Sequence, residues 1–419
     1  MYRQITGQLR PVIIAHNLDR NDVGEVGTSY QLIRAMVDTG EVSPILLVLQ
    51  NPKREPVSKQ FPELEVHTWR EPAWLMRFER LNAMAKPAIP WFYRQTRQWI
   101  KARIAEGEQF DLIHQILPRA PRYTSRLSGL GVPYVIGPVG GAIPTPKNFK
   151  HHKSTDPWFT KLRQLDQYRF RYDVALRRGF AEADLVLGVA PYMQKVMGEM
   201  SFRRFEPFLG IGVECLAPSV KRAGTPQVLK LLFVGRAVRT KGLREAILAL
   251  AQIKNRPKIT LTVIGDGPEI DVVRELAAEK GVLDRISFEG RKPRHEIEDY
   301  YQSHDVLLFP SFRESMGGVI YEAMRWGMPV ITVDYGGPGF IVDESCGLKS
   351  PLTEPNELAL SLSKHIANLA DDLVLRNQLS KGARQRIIKD ALWETKARRM
   401  LDLYQETVQT HYNQRLSNK

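Results

Sequence analysis

The chain has 419 residues, which predicts at least two domains at roughly 100–200 residues per domain. Its 43% apolar and 25% charged residues are typical of a folded globular protein and exclude intrinsic disorder. Cys215 and Cys346 lie far apart without zinc-ligand spacing, which excludes a disulfide framework and favours a reducing cytoplasm. The net charge of +14 indicates an anionic partner, namely nucleic acid, a membrane surface or a phosphorylated substrate.

Short apolar runs alternate with helical patterns through the first half of the chain. A loop containing Gly24 and Gly27 follows the first run, and a helix is predicted after it. Strands are predicted at 11–17, 43–50, 111–116, 133–138 and 183–190. The segment after residue 208 is rich in Gly and Pro, which is typical of a linker.

The same alternation restarts after this linker. Strands are predicted at 229–235, 259–267, 285–290, 305–311 and 329–334, with helices over 242–253, 269–280 and 294–303. A further helix is predicted from about 383 to 411. Apolar strands of this length between helices indicate parallel sheets that are covered on both faces.

The pattern therefore predicts an α/β protein built from two doubly wound, Rossmann-like domains that face each other across a cleft. We expect the first domain at 1–208, joined by a returning helix at 395–419, and the second at 209–394. In open α/β sheets, ligands bind beyond the carboxyl ends of the strands. The loops that follow strands are therefore the places to look for a site.

Three such loops in the second half carry suitable groups. Arg236 and Lys241 follow a strand and could hold a diphosphate through charge-assisted hydrogen bonds. Gly265 ends the next strand, where a missing side chain permits close approach of a ligand.

The third loop, FPSFRESMGG, carries Glu314 and leads through Ser315, Met316, Gly317 and Gly318 into a helix. The N–H groups and the positive dipole end at the start of a helix attract phosphate oxygens. Glu322 lies about a turn and a half inside that helix and could bind a pair of ribose hydroxyls.

These segments, in this order, resemble the retaining GT-B glycosyltransferases of family 4. The resemblance rests on GRAVRTKGL, VIGDGP, the pair Glu314-x7-Glu322 and YGGPGFIVDESCGL, and it covers nearly all of 229–404. It implies that Arg236 and Lys241 bind the donor diphosphate, that Glu314 binds the donor sugar and that Glu322 binds the ribose. It also implies that the 315–318 amides lie near the phosphates and sugar, and that Arg291 lies beside the base.

The first half matches this family less tightly. The loop with Gly24 and Gly27 resembles the family's glycine-rich loop near the reaction centre, and Gly140–Gly141 resembles a loop of the members that build bacterial polysaccharides. His114 ends a strand in FDLIHQI and resembles the family's DxxH segment, which implies a catalytic role. A buried core histidine is the alternative for this position.

Two stretches, 70–103 and 147–178, concentrate the basic charge. The first contains eight Lys and Arg residues against two Glu, together with four tryptophans in or beside it. Aromatic and basic side chains mixed in this way suit an anionic membrane surface, although an ordinary solvated face remains the alternative. No nucleic-acid-binding motif accompanies the charge, so we expect no nucleic-acid partner.

The resemblance implies a retaining glycosyltransferase that moves a sugar from a UDP- or GDP-sugar to a saccharide or lipid-linked saccharide acceptor. Bacterial cell-surface polysaccharide synthesis in the cytoplasm, at the inner face of the membrane, is the expected setting. No Asp-x-Asp pair occurs in the chain, so we expect neither a metal nor a cofactor. The alternatives are another nucleotide-sugar enzyme, such as a hydrolase or epimerase, and a basic non-catalytic binding protein.

Overall fold

The computed structural model describes residues 7–72, 86–124, 127–149, 164–220, 225, 228–253, 255–256 and 258–417. The chain divides into two compact units. Unit 1 comprises the described residues within Met1–Ala142, Phe159–Gly210 and Trp393–Lys419, and unit 2 those within Ile143–Trp158 and Ile211–Leu392.

Unit 1 contains a seven-stranded sheet in which all neighbouring strands run parallel. Its strands are β1 (Val12–Ala15), β2 (Ile45–Gln50), β3 (Val66–Arg70), β4 (Ile113–Gln115), β5 (Tyr134–Val139), β6 (Leu185–Gly188) and β7 (Phe205–Pro207). Their order across the sheet is β3-β2-β1-β4-β5-β6-β7.

Helices connect these strands. With labels that follow chain order, the helices of unit 1 are α1 (Glu25–Asp38), α2 (Val57–Gln60), α3 (Ile89–Ala105), α4 (Gln164–Tyr172), α5 (Val174–Ala181), α6 (Tyr192–Met197) and α14 (Trp393–Ser417). Leu32 and Met36 of α1 and Met400 and Tyr404 of α14 pack into one apolar core with strands β1 and β2.

Unit 2 contains a six-stranded parallel sheet in the order β10-β9-β8-β11-β12-β13. Its strands are β8 (Leu229–Val234), β9 (Ile259–Ile264), β10 (Ile286–Gly290), β11 (Val306–Phe309), β12 (Val330–Val333) and β13 (Gly347–Ser350). Its helices are α7 (Leu243–Gln252), α8 (Ile270–Glu279), α9 (Arg294–Ser303), α10 (Gly318–Arg325), α11 (Gly336–Ile341), α12 (Pro355–Asp371) and α13 (Leu373–Asp390).

Both sheets therefore have the doubly wound arrangement that the alternation of strands and helices predicts. Most of their strands are buried along their whole length, as β1, β2 and β11 are. None of the helices in the described part of the chain is long and apolar enough to span a bilayer.

The structure contains three strands that the sequence pattern did not predict, β3, β7 and β13, and it differs from the prediction in two further places. The helix predicted from about 383 to 411 is two helices, α13 and α14, because Ala391 and Leu392 leave the helix to pair with Val213. The Val213 N–H donates to the Ala391 carbonyl oxygen at 2.8 Å. In addition, residues 143–149 belong to unit 2, where Phe149 stacks on Phe312 with ring centroids 4.4 Å apart.

A buried ion pair supports the start of α7. The Arg239 guanidinium donates to both carboxylate oxygens of Glu245, at 2.9 and 2.6 Å, and lies over the rings of Phe149 and Phe312. The two side chains are only 8% and 1% exposed. Removing one partner of such a pair leaves a buried charge without compensation.

We therefore expect Glu245→Ala to lower the free energy of unfolding of unit 2 by about 3–5 kcal/mol. Arg256→Ala, which breaks the exposed pair with Asp371, should cost less than about 1 kcal/mol. Urea unfolding followed by circular dichroism measures both. Equal effects of the two substitutions would contradict the role assigned to the buried pair.

Candidate functional site

The strand order of unit 2 brings two of the predicted loops together. The chain crosses from one half of the sheet to the other between β8 and β11, which are neighbours. In a doubly wound sheet, the loops after such a pair of strands open a crevice at the carboxyl edge. Lys241 lies in the loop after β8 and Glu314 in the loop after β11.

These two side chains form an ion pair in the structure. The Lys241 ammonium donates to Glu314 Oε2 and lies 5.1 Å from the centroid of the Phe309 ring. The Lys241 and Glu314 side chains are 14% and 20% exposed. The pair is thus shielded from bulk water yet remains accessible at one side.

The surroundings of Glu314 keep its carboxylate ionised. Burial by itself would raise the pKa of this carboxyl, but the charge of Lys241 and the hydrogen bonds it receives lower the pKa below its ordinary value. Two of these bonds come from the N–H groups of Met316 and Gly317, at 3.3 and 3.2 Å from Oε1.

A second loop supports the one that carries Glu314. The Gly337 N–H donates to the Glu314 carbonyl oxygen at 3.0 Å. A Cβ atom at Gly337 would lie 2.5 Å from the Ser315 carbonyl oxygen, so a side chain would push the loops apart. The close packing of the two backbones thus accounts for the small residues of the YGGPG segment (335–339).

Helix α10 begins directly after this loop. Gly317 adopts a left-handed conformation (φ 81°) as the N-cap, and Gly318 is the first helical residue. Within α10, Glu322 accepts a hydrogen bond from the Tyr301 hydroxyl at 3.2 Å and pairs with Arg294 at 3.2 Å. Burial and the Glu322 charge raise the pKa of Tyr301 well above its ordinary value, so Tyr301 stays a neutral donor.

Arg236, Arg291 and Gly265 also lie in loops at the carboxyl edge of this sheet. The Arg236 and Arg291 side chains are exposed. A Cβ atom at Gly265 would lie 1.9 Å from the Gly235 carbonyl oxygen, and the Gly265 N–H donates to the Gly290 carbonyl oxygen at 2.8 Å. Gly265 thus ties the loops after β8, β9 and β10 together, and its contact with a ligand stays a prediction.

The glycines predicted in unit 1 also allow close packing. A Cβ atom at Gly27 would lie 1.6 Å from the Asp22 carbonyl oxygen, so only glycine allows the loop to fold onto α1. Asp22 accepts the Gly24 N–H through Oδ1 at 2.6 Å. Gly140 donates its N–H to the Arg119 carbonyl oxygen, and Gly141 is left-handed (φ 90°).

His114 is fully buried inside unit 1. Nε2 donates to the Gly137 carbonyl oxygen at 2.6 Å, so in the neutral ring Nδ1 accepts from the Tyr404 hydroxyl at 2.6 Å. Both ring nitrogens are therefore engaged in fixing α14 to the sheet. This geometry favours a structural role, and a catalytic role for His114 stays a prediction.

Sequence reasoning missed a polar cluster at the carboxyl edge of the unit 1 sheet. Lys86 Nζ lies 3.4 Å from His16 Nδ1 and 4.0 Å from Glu25 Oε1, and His16 Nε2 lies 3.8 Å from Glu71 Oε1. Burial lowers the pKa of both His16 and Lys86, while the charge of Glu71 acts to raise both. The sequence signal that could have identified this cluster is the position of two of its residues after strands. His16 directly follows β1 and Glu71 directly follows β3.

A buried arginine, Arg119, was missed as well. Its Nη2 donates to the Thr28 and Ser29 hydroxyls and to the Gly210 carbonyl oxygen, and burial lowers its pKa to about 10. It thereby joins α1 to the loops after β4 and β7. Among the described residues, no group of three or more His, Cys, Asp or Glu is placed to hold a metal ion.

Two Rossmann-like units of this topology define the GT-B fold class. A glycosyltransferase structure from Rickettsia africae matches 96% of this chain and 99% of its own, with a TM-score of 0.61 and 16% identity. The structure of HepE from Anabaena in complex with UDP and glucose matches 94% of this chain and 99% of its own, with a TM-score of 0.56 and 17% identity. At such identities the likeness shows the fold alone.

The family model described as "Glycosyl transferases group 1" matches residues 221–386. The 2-deoxystreptamine glucosyltransferase of Streptomyces kanamyceticus is 36% identical over 157 residues, which cover 36% of this chain and 39% of that protein. The chain thus spans about two fifths of the length of the first curated relatives it matches.

The burial of His114 predicts a dependence of stability on pH. Burial lowers its pKa to about 4 in the folded state, against about 6.5 in the unfolded chain. The unfolded state therefore binds the extra proton between these values, so stability is fully present above pH 6.5 and falls as the pH drops towards 4. This group alone should account for a loss of about 3 kcal/mol.

We expect His114→Gln to be less stable than the wild type at pH 7.5. Its free energy of unfolding should, however, fall less than that of the wild type when the pH is lowered. Chemical unfolding at pH 7.5, 6.0 and 5.0 measures the effect. Between pH 7.5 and 8.5 the free energies of unfolding of the two proteins should change by the same amount, which provides the internal control. If the free energy of unfolding of His114→Gln fell with pH below 6.5 as steeply as that of the wild type, the role assigned to His114 would be contradicted.

Proposed function

We propose that this protein is a retaining glycosyltransferase that uses a UDP- or GDP-sugar as donor without a metal. The observation that carries the proposal is the Lys241–Glu314 pair at the crevice of unit 2. A cation and an ionised carboxylate there offer one group for a phosphate and one for sugar hydroxyls. The family of residues 221–386 and the UDP and glucose named for the HepE structure support this assignment.

The departing diphosphate is stabilised by positive groups that the fold holds in place. The Lys241 ammonium has three N–H donors, of which Glu314 takes one. Arg236, in the same loop, adds an exposed guanidinium, and the start of α10 adds the positive end of its dipole. Groups preorganised in this way stabilise charge that develops in the transition state.

The donor sugar and ribose are recognised by carboxylates. Glu314 accepts hydroxyl hydrogen bonds from the sugar, because the backbone bonds to Met316 and Gly317 fix its orientation. Glu322 binds the ribose, and Tyr301 holds its carboxylate. The reaction proceeds with front-face attack, in which the leaving phosphate accepts the proton of the acceptor, so no protein nucleophile takes part.

The acceptor is a saccharide or a lipid-linked saccharide in bacterial cell-surface polysaccharide synthesis. It binds at the carboxyl edge of the unit 1 sheet, where His16, Lys86, Glu25 and Glu71 meet. Such groups hydrogen-bond hydroxyls, and ligands of open α/β sheets bind at this edge. The Gly24 loop lies at the same edge, after β1.

The enzyme acts in the cytoplasm and contacts the anionic inner face of the membrane through 70–103 and 147–178. Trp91, on α3, is 44% exposed and offers an aromatic anchor. Trp69 and Trp99 instead pack inside unit 1, against Phe92 and Phe110. Residues 73–85 and 150–163 of these stretches lie outside the described residues.

A thermal-shift screen across UDP- and GDP-sugars tests the donor site. A true donor at 100 times its Kd should stabilise the folded state by about 2.7 kcal/mol and raise Tm. Lys241→Ala should abolish the rise because the diphosphate loses its main cation. The matched control, Lys280→Ala, removes an exposed lysine of unit 2 that pairs with the adjacent Glu279, and it should keep the shift.

Glu314→Gln should lower kcat/KM for transfer at least about 100-fold, since the amide cannot hold Lys241 or accept sugar hydroxyls equally well. The matched control, Glu279→Gln at an exposed position, should stay within twofold of the wild type. Product analysis by chromatography measures transfer and separates it from donor hydrolysis or epimerisation. Wild-type activity of Glu314→Gln would refute the role of this carboxylate.

Excess EDTA should leave the rate of transfer unchanged, because Lys241, Arg236 and the α10 N-terminus neutralise the leaving group. The rate is measured with and without EDTA and after readdition of Mg²⁺. Loss of activity in EDTA that Mg²⁺ restores would show that the reaction requires a metal.

A further inference from the structure

Unit 1 contains a large open cavity that the proposed reaction does not use. Its volume is about 1750 Å³, and it is walled by α3, the loop before β5, α5 and the end of α14. Small-molecule sites usually measure about 300–1,000 Å³. We name this cavity the arginine groove, and its size suits a chain of several sugar rings.

The lining of the arginine groove is strongly basic. Among the described residues that line it, seven are arginines and three are carboxylates. Each carboxylate is paired with one arginine: Asp173 with Arg169, Glu182 with Arg178 and Asp184 with Arg203. A fourth lining arginine, Arg122, pairs with the buried Asp166 at 3.0 Å, and the described lining as a whole is positively charged.

Two arginines are anchored to the same loop from different walls. Arg97 of α3 donates through Nη1 to the Ser128 carbonyl oxygen at 3.1 Å, and Arg415 of α14 donates through Nη1 to the Gly131 carbonyl oxygen at 3.0 Å. A guanidinium has five N–H donors in a planar fork that matches carboxylates and phosphates. The backbone contacts orient these forks before a ligand binds. Arg94, one turn from Arg97, is exposed on the same lining.

Tyrosines line another part of the groove. Tyr134 donates its hydroxyl to Gln115 at 3.2 Å, and Gln115 in turn donates to the Tyr123 carbonyl oxygen at 2.9 Å. Tyr93 is only 6% exposed, and its buried hydroxyl has no hydrogen-bond partner among the described residues. Buried polar groups are normally paired, so this hydroxyl is a ready contact for a ligand that enters the groove.

We propose that the arginine groove binds an acidic saccharide chain that carries carboxylate, sulfate or phosphate groups. This inference goes beyond the proposed function, because it assigns a saccharide site that the proposed reaction does not use. Arginine forks bind the acidic groups, and Tyr123, the most exposed of the lining tyrosines, offers a ring face to the sugars. A concave groove suits a chain, whereas a bilayer presents a flat surface.

Calorimetric titration of the full chain with tetragalacturonate and with a heparin tetrasaccharide tests the proposal, with neutral maltotetraose as the reference. We expect at least one acidic tetrasaccharide to bind at least tenfold more tightly than maltotetraose, with an affinity that falls as salt rises. Arg94→Glu/Arg415→Glu should weaken that binding at least tenfold. The matched control, Lys101→Glu/Arg398→Glu, makes the same charge change at exposed positions of α3 and α14 outside the groove, and it should change the affinity less than twofold.

Tyr93→Phe provides a variant that does not depend on surface charge. It should weaken binding of the acidic tetrasaccharide without lowering Tm, because its hydroxyl has no partner among the described residues in the free protein. A merely structural hydroxyl would lower Tm on removal and leave the binding unchanged.

Three results would overturn the proposal: no binding of either acidic tetrasaccharide, equal binding of maltotetraose, or unchanged binding by Arg94→Glu/Arg415→Glu. Vesicles of phosphatidylglycerol form the second arm. If the groove variant loses vesicle binding alone, the groove serves the membrane and not a saccharide. The thermal shift with the donor separates this inference from the proposed function, since the groove variants should keep it.

Discussion

The order of parallel strands is the constraint on which the site depends. Because β8 and β11 are neighbours while the chain runs outward from each in opposite directions, the loops after them open at one edge. Lys241 and Glu314 lie 73 residues apart and meet only through this crossing. Their ion pair is therefore a product of topology, and any change that separates β8 from β11 would remove it.

Tight backbone contacts fix the loops around this pair. Gly265 lets the loop after β9 contact the loop after β8, and Gly337 lets the YGGPG segment lie against the loop that carries Glu314. In both cases a side chain would occupy the space of a carbonyl oxygen. The glycines of the family pattern thus act largely on the protein's own backbone, and the carboxylate is positioned by the rigidity they permit.

In unit 1, buried polar side chains fix a C-terminal helix to a sheet that is built from the first half of the chain. The His114 ring joins Gly137 to Tyr404 of α14, and Arg119 joins α1 to Gly210. Each is a buried polar group whose hydrogen bonds are made within unit 1. The same unit leaves the arginine groove open beside this core, so part of the positive charge lies in the groove and part in the loops that carry Arg236 and Lys241.

The sequence by itself determined the two doubly wound α/β units and singled out Lys241, Glu314 and Glu322 as candidate site residues. Strand and helix periodicity and the spacing of Glu314 and Glu322 are local properties that one segment of chain contains. Only the tertiary structure decided that α13 and α14 are separate, that His16 meets Lys86 and Glu71, and that Arg97 and Arg415 share a groove. These outcomes join residues 55 to more than 300 positions apart, and no local pattern encodes such contacts, because they depend on how helices and strands pack.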